Sequence, residues 1–242
     1  MISSQNKNKA FTLAETLITL AVIGVVAALT IPTLQQKYTE HITVNKVKKF
    51  YSTLKNAYAM AVQENGTPDL WGSQDITTRT QEQALNAYNI LIKPYFKIAR
   101  DCGFSNEKKC TAEITYLLNG SSQNTNYSQN VSYPYYKFVL EDGISAWVRG
   151  GNEVYFDVFI DTNGTKGPNQ WGKDIFDFYA KMDNSQFILI PGGTLTSSNP
   201  FDSNCNSKST GWGCTAWVVY KGNMEYLRCD DLKWNGKQKC SK

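Results

Sequence analysis

The sequence predicts an α+β fold in which one long N-terminal helix packs on a head built around an antiparallel β-sheet. The chain has a single long apolar stretch, residues 11–31, which passes directly into an amphipathic helical pattern. Short runs rich in β-branched and aromatic residues, separated by Gly, Asn and Asp, follow from residue 135 onward. The apolar side of the amphipathic helix needs a covering layer, and such a sheet supplies it.

Composition narrows the class of protein before any motif is considered. The 242 residues are 41% hydrophobic and 19% charged with a net charge of +4, and the length fits one ordinary domain, or one domain plus an appendage. This balance excludes a disordered chain and a polytopic membrane protein, and it predicts no nucleic-acid partner. His41 is the only histidine, and the sequence has neither a Gly-rich phosphate loop nor a G-x-S-x-G motif. We therefore expect a protein that is not an enzyme.

Residues 11–31 form the one segment apolar enough to cross a membrane. As an α-helix their length is about 30 Å, which matches the hydrocarbon core of a bilayer. The residues before it are polar and carry Lys7 and Lys9 without an acid, as a cytoplasmic flank does. A cleaved secretory signal has the same ingredients, but Glu15 lies inside the apolar stretch. Because an unpaired carboxylate there costs a few kcal/mol, Glu15 needs a partner.

The helical pattern continues beyond the apolar stretch to the region of Asn65. Its apolar positions recur mostly at steps of three and four; they are Leu34, Tyr38, Ile42, Val47, Phe50, Leu54, Tyr58, Ala61 and Val62. Gly66 and Pro68 then supply a C-cap and a helix breaker. Pro32 lacks an amide donor and Gly24 has low helix propensity, so we expect the helix to bend or loosen near these two positions.

The residues from Ala10 to Glu15 carry a resemblance to a known family. Ala-Phe-Thr-Leu-Ala-Glu, followed by the apolar run and Pro32, resembles the processing and polymerisation segment of type IV prepilins and of the pseudopilins of type II secretion. The resemblance implies that prepilin peptidase cuts between Ala10 and Phe11 and methylates the new amine. The family usually has Gly where this chain has Ala10.

The same resemblance implies a pilin-like filament subunit with three parts. These are a cleaved leader (1–10), a long helix (11–65) that spans the membrane over residues 11–31, and a globular head (66–242). The residues expected to act in assembly are Phe11, Glu15, Gly24 and Pro32. Cleavage would free the ammonium group of Phe11, which can pair with Glu15 on the same helix or on a staggered neighbour. A repeated staggered contact is open-ended and therefore builds a filament.

The implied partners are other pilin or pseudopilin subunits, prepilin peptidase, an inner-membrane assembly platform and membrane lipid. The implied location is the inner membrane, with a single span and the head outside the cytoplasm, and then a periplasmic or cell-surface filament. A retractile pilus and a short secretion pseudopilus remain equally open. The alternative is a membrane-anchored or secreted monomeric binding protein, adhesin-like, that uses the apolar segment as an ordinary signal or anchor.

Local patterns predict the elements of the head. Thr80 to Lys93 has the pattern of an amphipathic helix with a capping box from Thr80 to Gln83, ended by Pro94. The predicted strands are Tyr135–Leu140, Ile144–Arg149, Val154–Ile160, Ile175–Ala180 and Gln186–Ile190. Asp142-Gly143 predicts a hairpin between the first two strands, and Gly222-Asn223 predicts another between Cys214–Tyr220 and Met224–Cys229.

The cysteines predict disulfide bonds and hence an exported head. There are six, in three close pairs without a C-x-x-C motif: Cys102, Cys110, Cys205, Cys214, Cys229 and Cys240. The shortest loops join Cys102 to Cys110, Cys205 to Cys214 and Cys229 to Cys240. A nested pairing of Cys205 with Cys240 and Cys214 with Cys229 is the alternative for the last four.

The segment from Asp161 to Asp174 resembles the beginning of a calcium loop. Its Asp-Thr-Asn-Gly start places side-chain oxygens before a sharp glycine turn. Asp161, Asn163 and Asp174 could supply side-chain oxygens and Thr165 a carbonyl, and some major pseudopilins are similar in holding calcium in a head loop. No Glu closes the loop and Pro168 interrupts it, so a metal-free Asx turn between two strands is the competing interpretation. We expect no required cofactor, with calcium as the candidate ligand.

Overall fold

A computed structural model describes residues 12–72, 79–105, 107, 109–123, 134–151, 155–195 and 197–241. The chain divides into two compact units between His41 and Ile42. One helix, α1 (Leu13–Asn65), begins in the first unit and ends in the second. Long-helix and antiparallel-sheet elements are both present, so the predicted α+β class is confirmed.

The first unit consists, in its described part, of the apolar end of α1. The helix is long and apolar enough to span a membrane, with a mean hydropathy of 2.4 over its most apolar 18 residues, and none of those residues is buried. Pro32 lies inside α1 without ending it. This agrees with the prediction of one continuing helix and shows that the missing amide of proline does not interrupt it.

The second unit begins with the part of α1 that packs on the sheet. Its buried positions follow the helical repeat; they are Thr43, Val44, Val47, Phe50, Tyr51, Leu54, Ala57 and Ala61. The predicted apolar stripe started earlier, but Leu34 is 69% exposed and Tyr38 is 66% exposed. Burial of the stripe therefore starts near residue 43, about three helical turns later than the pattern alone suggests.

Within the described residues of the second unit, the main sheet has six strands and a separate pair of short strands accompanies it. The strands are β1 (Ile98–Gly103), β2 (Thr115–Tyr116), β3 (Ser122–Gln123), β4 (Tyr136–Leu140), β5 (Ser145–Gly150), β6 (Phe156–Asp161), β7 (Ile175–Asp183) and β8 (Gln186–Pro191). The main sheet has the order β1-β4-β5-β6-β7-β8, and β2 pairs with β3. All these pairings are antiparallel. The five predicted strands correspond to β4 through β8.

Each face of the main sheet covers a separate cluster of buried side chains. On β6, Phe156, Val158 and Ile160 belong to the main core together with Val47, Phe50 and Leu54 of α1. The alternating residue Phe159 belongs to a second, smaller cluster that includes Trp147 and Trp171. This alternation follows from the two-residue period of a strand, and it explains why β6 is buried along its whole length.

The predicted helix after Thr80 is present in a shortened form. The α-helix α2 covers Gln81–Ala87 and continues as one π-helical turn, Tyr88–Ile92. Both hydrogen bonds of the Thr80–Gln83 capping box are formed, at 2.9 and 3.1 Å. Leu91 and Ile92 are fully buried. The wider turn ends just before Pro94, where the helix was expected to stop.

The predicted hairpin around Gly222-Asn223 is wrong. Residues Thr215–Lys221 form a helix, α4, that follows the single-turn helix α3 (Phe201–Asn204), and Glu225–Leu227 form a turn of 3₁₀-helix. Gly222 is left-handed, with φ 70° and ψ 28°, and caps α4 instead of turning a hairpin. Packing outweighs the strand preference of the residues in this segment, since Trp217 stacks on Phe201 with ring centroids 4.1 Å apart.

Three disulfide bonds join the six cysteines. They are Cys102–Cys110, Cys205–Cys214 and Cys229–Cys240, the pairings with the shortest loops. The nested alternative is therefore not the one adopted. No cysteine is left as a free thiol, and the first two bonds are buried in the head, where Cys110 and Cys214 are fully inaccessible.

Candidate functional site

The first candidate site is the beginning of α1, where Glu15 forms a local cap. The main-chain N–H of Thr12 donates to Glu15 Oε2 at 2.8 Å, and the Thr12 hydroxyl donates to the same oxygen at 3.1 Å. In return, the N–H of Glu15 donates to Thr12 Oγ1 at 3.2 Å. Glu15 is exposed, so its carboxylate remains open to a further partner. Ala10 and Phe11 lie outside the described residues, and the pairing of Phe11 with Glu15 stays a prediction.

The apolar surface that follows Glu15 has no cover within the described chain. Gly24 has no heavy atom within 4 Å of the position that a Cβ would take, and Pro32 is exposed. The large exposed side chains of this segment are Leu13, Leu17, Ile18, Leu20, Val22, Ile23, Val25, Val26, Leu29 and Ile31. So continuous an apolar surface is unfavourable in water and is typical of contact with lipid or with other helices.

The second candidate site is the loop between β6 and β7, which brings Asp161 close to Asp174. Asp161 ends β6, and Asp174 immediately precedes β7. The N–H of Thr162 donates to the main-chain oxygen of Asp174 at 2.9 Å, which closes the loop at its base. Both carboxyl groups are almost inaccessible, with exposed fractions of 2% for Asp161 and 3% for Asp174.

Donors from the loop surround the carboxylate of Asp174. The side-chain amide of Asn163 donates to Asp174 Oδ2 at 3.2 Å, and the N–H of Asn169 donates to the same atom at 2.9 Å. The N–H of Gln170 donates to Asp174 Oδ1. Asp161 accepts from the N–H of Asn163 at 3.2 Å, the hydrogen bond of an Asx turn. Both the turn and the convergence of Asp161, Asn163 and Asp174 are therefore present.

Both carboxyl groups have a pKa above the ordinary value of an aspartate. Burial raises the pKa of Asp161 above its usual range, and the nearby charge of Asp174 raises it further. Burial also raises the pKa of Asp174, against which the donated N–H groups of Gln170 and Asn169 act. Two buried carboxylates are unfavourable as a bare pair, and a bound divalent cation stabilises both in their ionised forms.

Oxygen atoms surround one terminal atom of the Asn169 side-chain amide, which is either its nitrogen or its oxygen. Asp161 Oδ2 lies 3.0 Å from it, and the carbonyl oxygens of Lys166 and Gly164 lie at 3.1 and 3.3 Å. If that atom is the amide nitrogen, it donates to all three oxygens, and these oxygens need no metal as a partner. If it is the amide oxygen, four oxygens face one another, which is part of the set of six to eight oxygens that a calcium ion takes. The residues present thus fit calcium through carboxylate, amide and carbonyl oxygens.

Three of the four predicted ligands come together, and three further groups were not anticipated. Thr165 is exposed, and no described contact joins it to either carboxylate. Asn169 and the carbonyls of Gly164 and Lys166 were missed, because their approach to one another depends on the path of the loop. Among the described residues no group of three or more His, Cys, Asp or Glu side chains could hold a metal, so any cation here depends on amide and carbonyl oxygens.

Comparisons with known proteins agree with these features of the chain. The sequence model of a family described as "Family of unknown function (DUF6613)" matches residues 33–222. That match covers more than half of the chain. A second model, described as the prokaryotic N-terminal methylation motif, matches residues 5–31. No curated protein and no solved structure matches the chain. The methylation motif confirms the resemblance to pilin-like proteins that the residues from Ala10 to Pro32 indicate.

Proposed function

We propose that this chain, which belongs to the family of unknown function (DUF6613) and carries the prokaryotic N-terminal methylation motif, is a structural subunit of a type IV pilus-like or type II secretion pseudopilus filament. Prepilin peptidase cuts between Ala10 and Phe11 and methylates Phe11. The processed chain is anchored in the inner membrane by residues 11–31, with its head outside the cytoplasm. An inner-membrane assembly platform then adds it to a filament of pilin or pseudopilin subunits.

One observation carries this proposal: the methylation motif coincides with an uncovered apolar helix whose first turn contains the carboxylate of Glu15. The motif covers residues 5–31, and the most apolar part of α1 has no buried residue. A plain membrane anchor needs the apolar length but has no use for Glu15 near its beginning. A subunit that packs its helix against other helices needs both the apolar surface and a polar group that sets the register.

Glu15 supplies that polar group in the proposed filament. Cleavage gives Phe11 a free ammonium group, and the carboxylate of Glu15 on a staggered neighbour is its natural partner. The cap from Thr12 occupies only one oxygen of the Glu15 carboxylate, since both bonds end on Oε2. The other oxygen remains for the neighbour. Because each subunit both offers an ammonium group and accepts one, the contact repeats without closing on itself.

Intact-mass measurement of the protein from its native membrane tests the processing step. Removal of residues 1–10 together with one added methyl group on Phe11 supports the proposal. The alternative, a membrane-anchored or secreted monomeric binding protein with an ordinary signal or anchor, predicts either an uncut chain or cleavage near Ala28. Either of those masses would favour the alternative.

Glu15→Ala tests the assembly step separately from processing. We expect the variant to be cut and inserted normally, because the segment becomes more apolar, and to enter filaments poorly, because the Phe11 ammonium group loses its partner. Glu40→Ala makes the same change of charge on the same helix, beyond the apolar segment, and serves as the control. Filament incorporation of Glu15→Ala at the level of the control would rule out the proposed pairing.

We also propose that the loop from Asp161 to Asp174 binds calcium. Two buried carboxylates, the amides of Asn163 and Asn169, and two carbonyl oxygens would hold the ion. With only two charged ligands the affinity should be weak, in the range of extracellular modules, which suits a head outside the cytoplasm. The role of the ion would be to join the ends of β6 and β7.

Thermal unfolding of the full chain in detergent, with calcium or with chelator, tests this second proposal. Calcium should raise the melting temperature of the parent and leave that of Asp161→Asn unchanged. Asp142→Asn, on an exposed hairpin with its carboxylate 3.2 Å from Lys49, removes the same charge elsewhere and should keep the calcium response. A parent that shows no response to calcium would leave the loop as a metal-free turn in which Asn169 donates through its nitrogen.

A further inference from the structure

Aromatic rings and lysines meet on one surface of the head. We call this surface the basic-aromatic patch; it consists of Lys48, Tyr51, Lys55, Tyr220, Lys221 and Trp234. Lys48, Tyr51 and Lys55 are three and four residues apart on α1 and thus share one side of the helix. Tyr220 and Lys221 end α4, and Trp234 comes from the C-terminal segment.

The rings of the patch form an angular surface instead of a flat one. Tyr220 is 52% exposed, and its hydroxyl lies 3.3 Å from that of Tyr51. The ring of Tyr220 is perpendicular to that of Trp234, with an interplanar angle of 90° and centroids 6.1 Å apart. It also meets Tyr51 at 81°. Tyr220 is therefore exposed and makes edge-on ring contacts with both Tyr51 and Trp234.

Three ammonium groups surround these rings. Lys221 Nζ lies 5.1 Å from the centre of the Trp234 ring, and Lys55 Nζ lies 5.8 Å from that of Tyr51. The ammonium group of Lys48 lies against Gly222, where a Cβ would be only 2.7 Å from Nζ. Within the described chain, none of these three lysines has a carboxylate within 4.0 Å. These ammonium groups therefore have no ion-pair partner among the described residues, and an anionic ligand would supply one.

The patch is held in place by the fold of the C-terminal segment. The N–H of Trp234 donates to Asp202 Oδ1 at 2.7 Å, and the Cys229–Cys240 disulfide closes the loop that carries Trp234. A tight turn follows, in which the N–H of Lys233 donates to the carbonyl of Lys237 at 2.9 Å. These constraints fix the position of the Trp234 ring, so the surface is preorganised for a ligand.

We infer that the basic-aromatic patch binds an acidic polysaccharide. Carboxylate groups of the sugar chain would pair with the ammonium groups, and the apolar faces of the sugar rings would pack on Tyr220 and Trp234. Single-stranded nucleic acid fits less well, because successive bases stack on parallel aromatic platforms, whereas the exposed rings here are perpendicular. Lysine also presents a point charge that suits separated carboxylates, without the fork that arginine offers to phosphate.

Binding of sodium polygalacturonate to the full chain in detergent tests this inference. Dextran serves as the neutral probe and a thymidine oligonucleotide as the nucleic-acid probe. Lys48→Gln/Lys55→Gln/Lys221→Gln removes the three charges of the patch. Lys49→Gln/Lys93→Gln/Lys208→Gln removes the same charge from exposed positions elsewhere and is the control. Thermal unfolding of both triple variants establishes that the head is folded in each.

The expected result is binding of polygalacturonate that weakens with added salt, together with no binding of dextran. The patch variant should lose about tenfold or more in affinity, since three exposed ion contacts are removed, and the control should change less than about twofold. Absence of polygalacturonate binding, or an equal loss in the control, would overturn the inference. Tighter binding of the oligonucleotide with the same dependence on the patch would replace the polysaccharide by a nucleic acid. These results do not depend on filament assembly, so they are independent of the proposed function.

Discussion

Lys46 on α1 donates a hydrogen bond from its ammonium group to the main-chain carbonyl of Thr162, with the two atoms 2.6 Å apart. Thr162 is buried and follows Asp161 directly. The helix is thereby joined to the same loop that brings the two carboxylates together. A change in the order of this loop should therefore alter the packing of α1 on the head.

Lys46→Met should lower the free energy of unfolding of the head by about 1.5 to 3 kcal/mol, the usual range for a hydrogen bond to a charged group. The long methionine side chain keeps most of the packing of the lysine stem, so the loss reports on the hydrogen bond together with the attraction between Lys46 and the carboxylate of Asp161. Lys49→Met is the control on the same helix, since its ion pair with Asp142 is largely exposed and should contribute less than about 1 kcal/mol. Chemical denaturation measures both. Equal losses in the two variants would show that the bond to Thr162 has no special role.

Arg149→Met should destabilise the head by about 3 kcal/mol at neutral pH, because the buried carboxylate of Asp157 loses the guanidinium group that forms an ion pair with it, while the charge of Arg79 still acts on it. Arg149 and Asp157 face each other on β5 and β6, with Arg149 Nη2 2.6 Å from Asp157 Oδ2. Burial raises the pKa of Asp157, and the guanidinium group opposes that rise. Without the guanidinium the native state favours protonated Asp157 more strongly, so the defect should shrink as the pH falls. Arg228→Met, which breaks a more exposed pair with Glu225, should cost less than about 1 kcal/mol.

Asp177→Asn should change how stability depends on pH. Burial raises the pKa of Asp177 to about 7 from an ordinary value of 3.8, although a hydrogen bond from Thr215 acts in the opposite direction. Between these two pH values the native state holds a proton that the unfolded state has lost, so this group makes the protein less stable as the pH rises. The slope is about 1.4 kcal/mol per pH unit. Unfolding measured from pH 4 to 7 should show a parent that loses stability relative to Asp177→Asn. Asp183→Asn, on the same strand, should keep the slope of the parent.

Gly193→Ala should prevent the C-terminal part of the head from folding normally. Gly193 has φ 97°, and an added Cβ would lie 1.9 Å from the carbonyl oxygen of Gly213. The clash cannot be relieved by rotating a side chain, because the added Cβ is bonded directly to the backbone and the oxygen belongs to it. We expect a loss of about 3 kcal/mol or more. Gly120→Ala separates conformation from contact, because Gly120 has φ 85° but nothing within 4 Å of the added Cβ, and it should cost about 1 kcal/mol. Similar losses in both variants would mean that the contact with Gly213 adds nothing.

Features with a purely local cause could be predicted from the sequence. The Asp142-Gly143 turn between β4 and β5 is an example, since Gly143 has φ 82° and its N–H bonds the carbonyl of Leu140 at 3.0 Å. The capping box at Thr80 is another, because both partners lie within one turn. Cys102–Cys110 follows from the short distance along the chain. In these cases the residues that interact are neighbours in sequence, so the backbone preferences of a few positions suffice.

Features that depend on distant contacts could not be predicted. Thr215–Lys221 has the composition of a strand, yet it is helical because Trp217 and Val218 are buried against the core and Gly222 caps the helix. The place of Asn169 beside Asp161 depends on the path of the loop around Pro168, which no periodicity encodes. The basic-aromatic patch joins α1, α4 and residue 234, which are far apart in the chain.

The sequence by itself determined that this protein has an N-terminal methylation segment, one long helix with an apolar beginning, and a disulfide-bonded head with an antiparallel sheet. Those properties depend on hydrophobic periodicity and on short-range spacing, which are visible in one dimension. Only the tertiary structure decided where burial of α1 begins, which oxygens face Asn169, and which lysines of α1 and α4 lie beside the rings of Tyr51 and Trp234. Such convergence is set by the packing of side chains from separate elements, and local backbone preference carries no information about it.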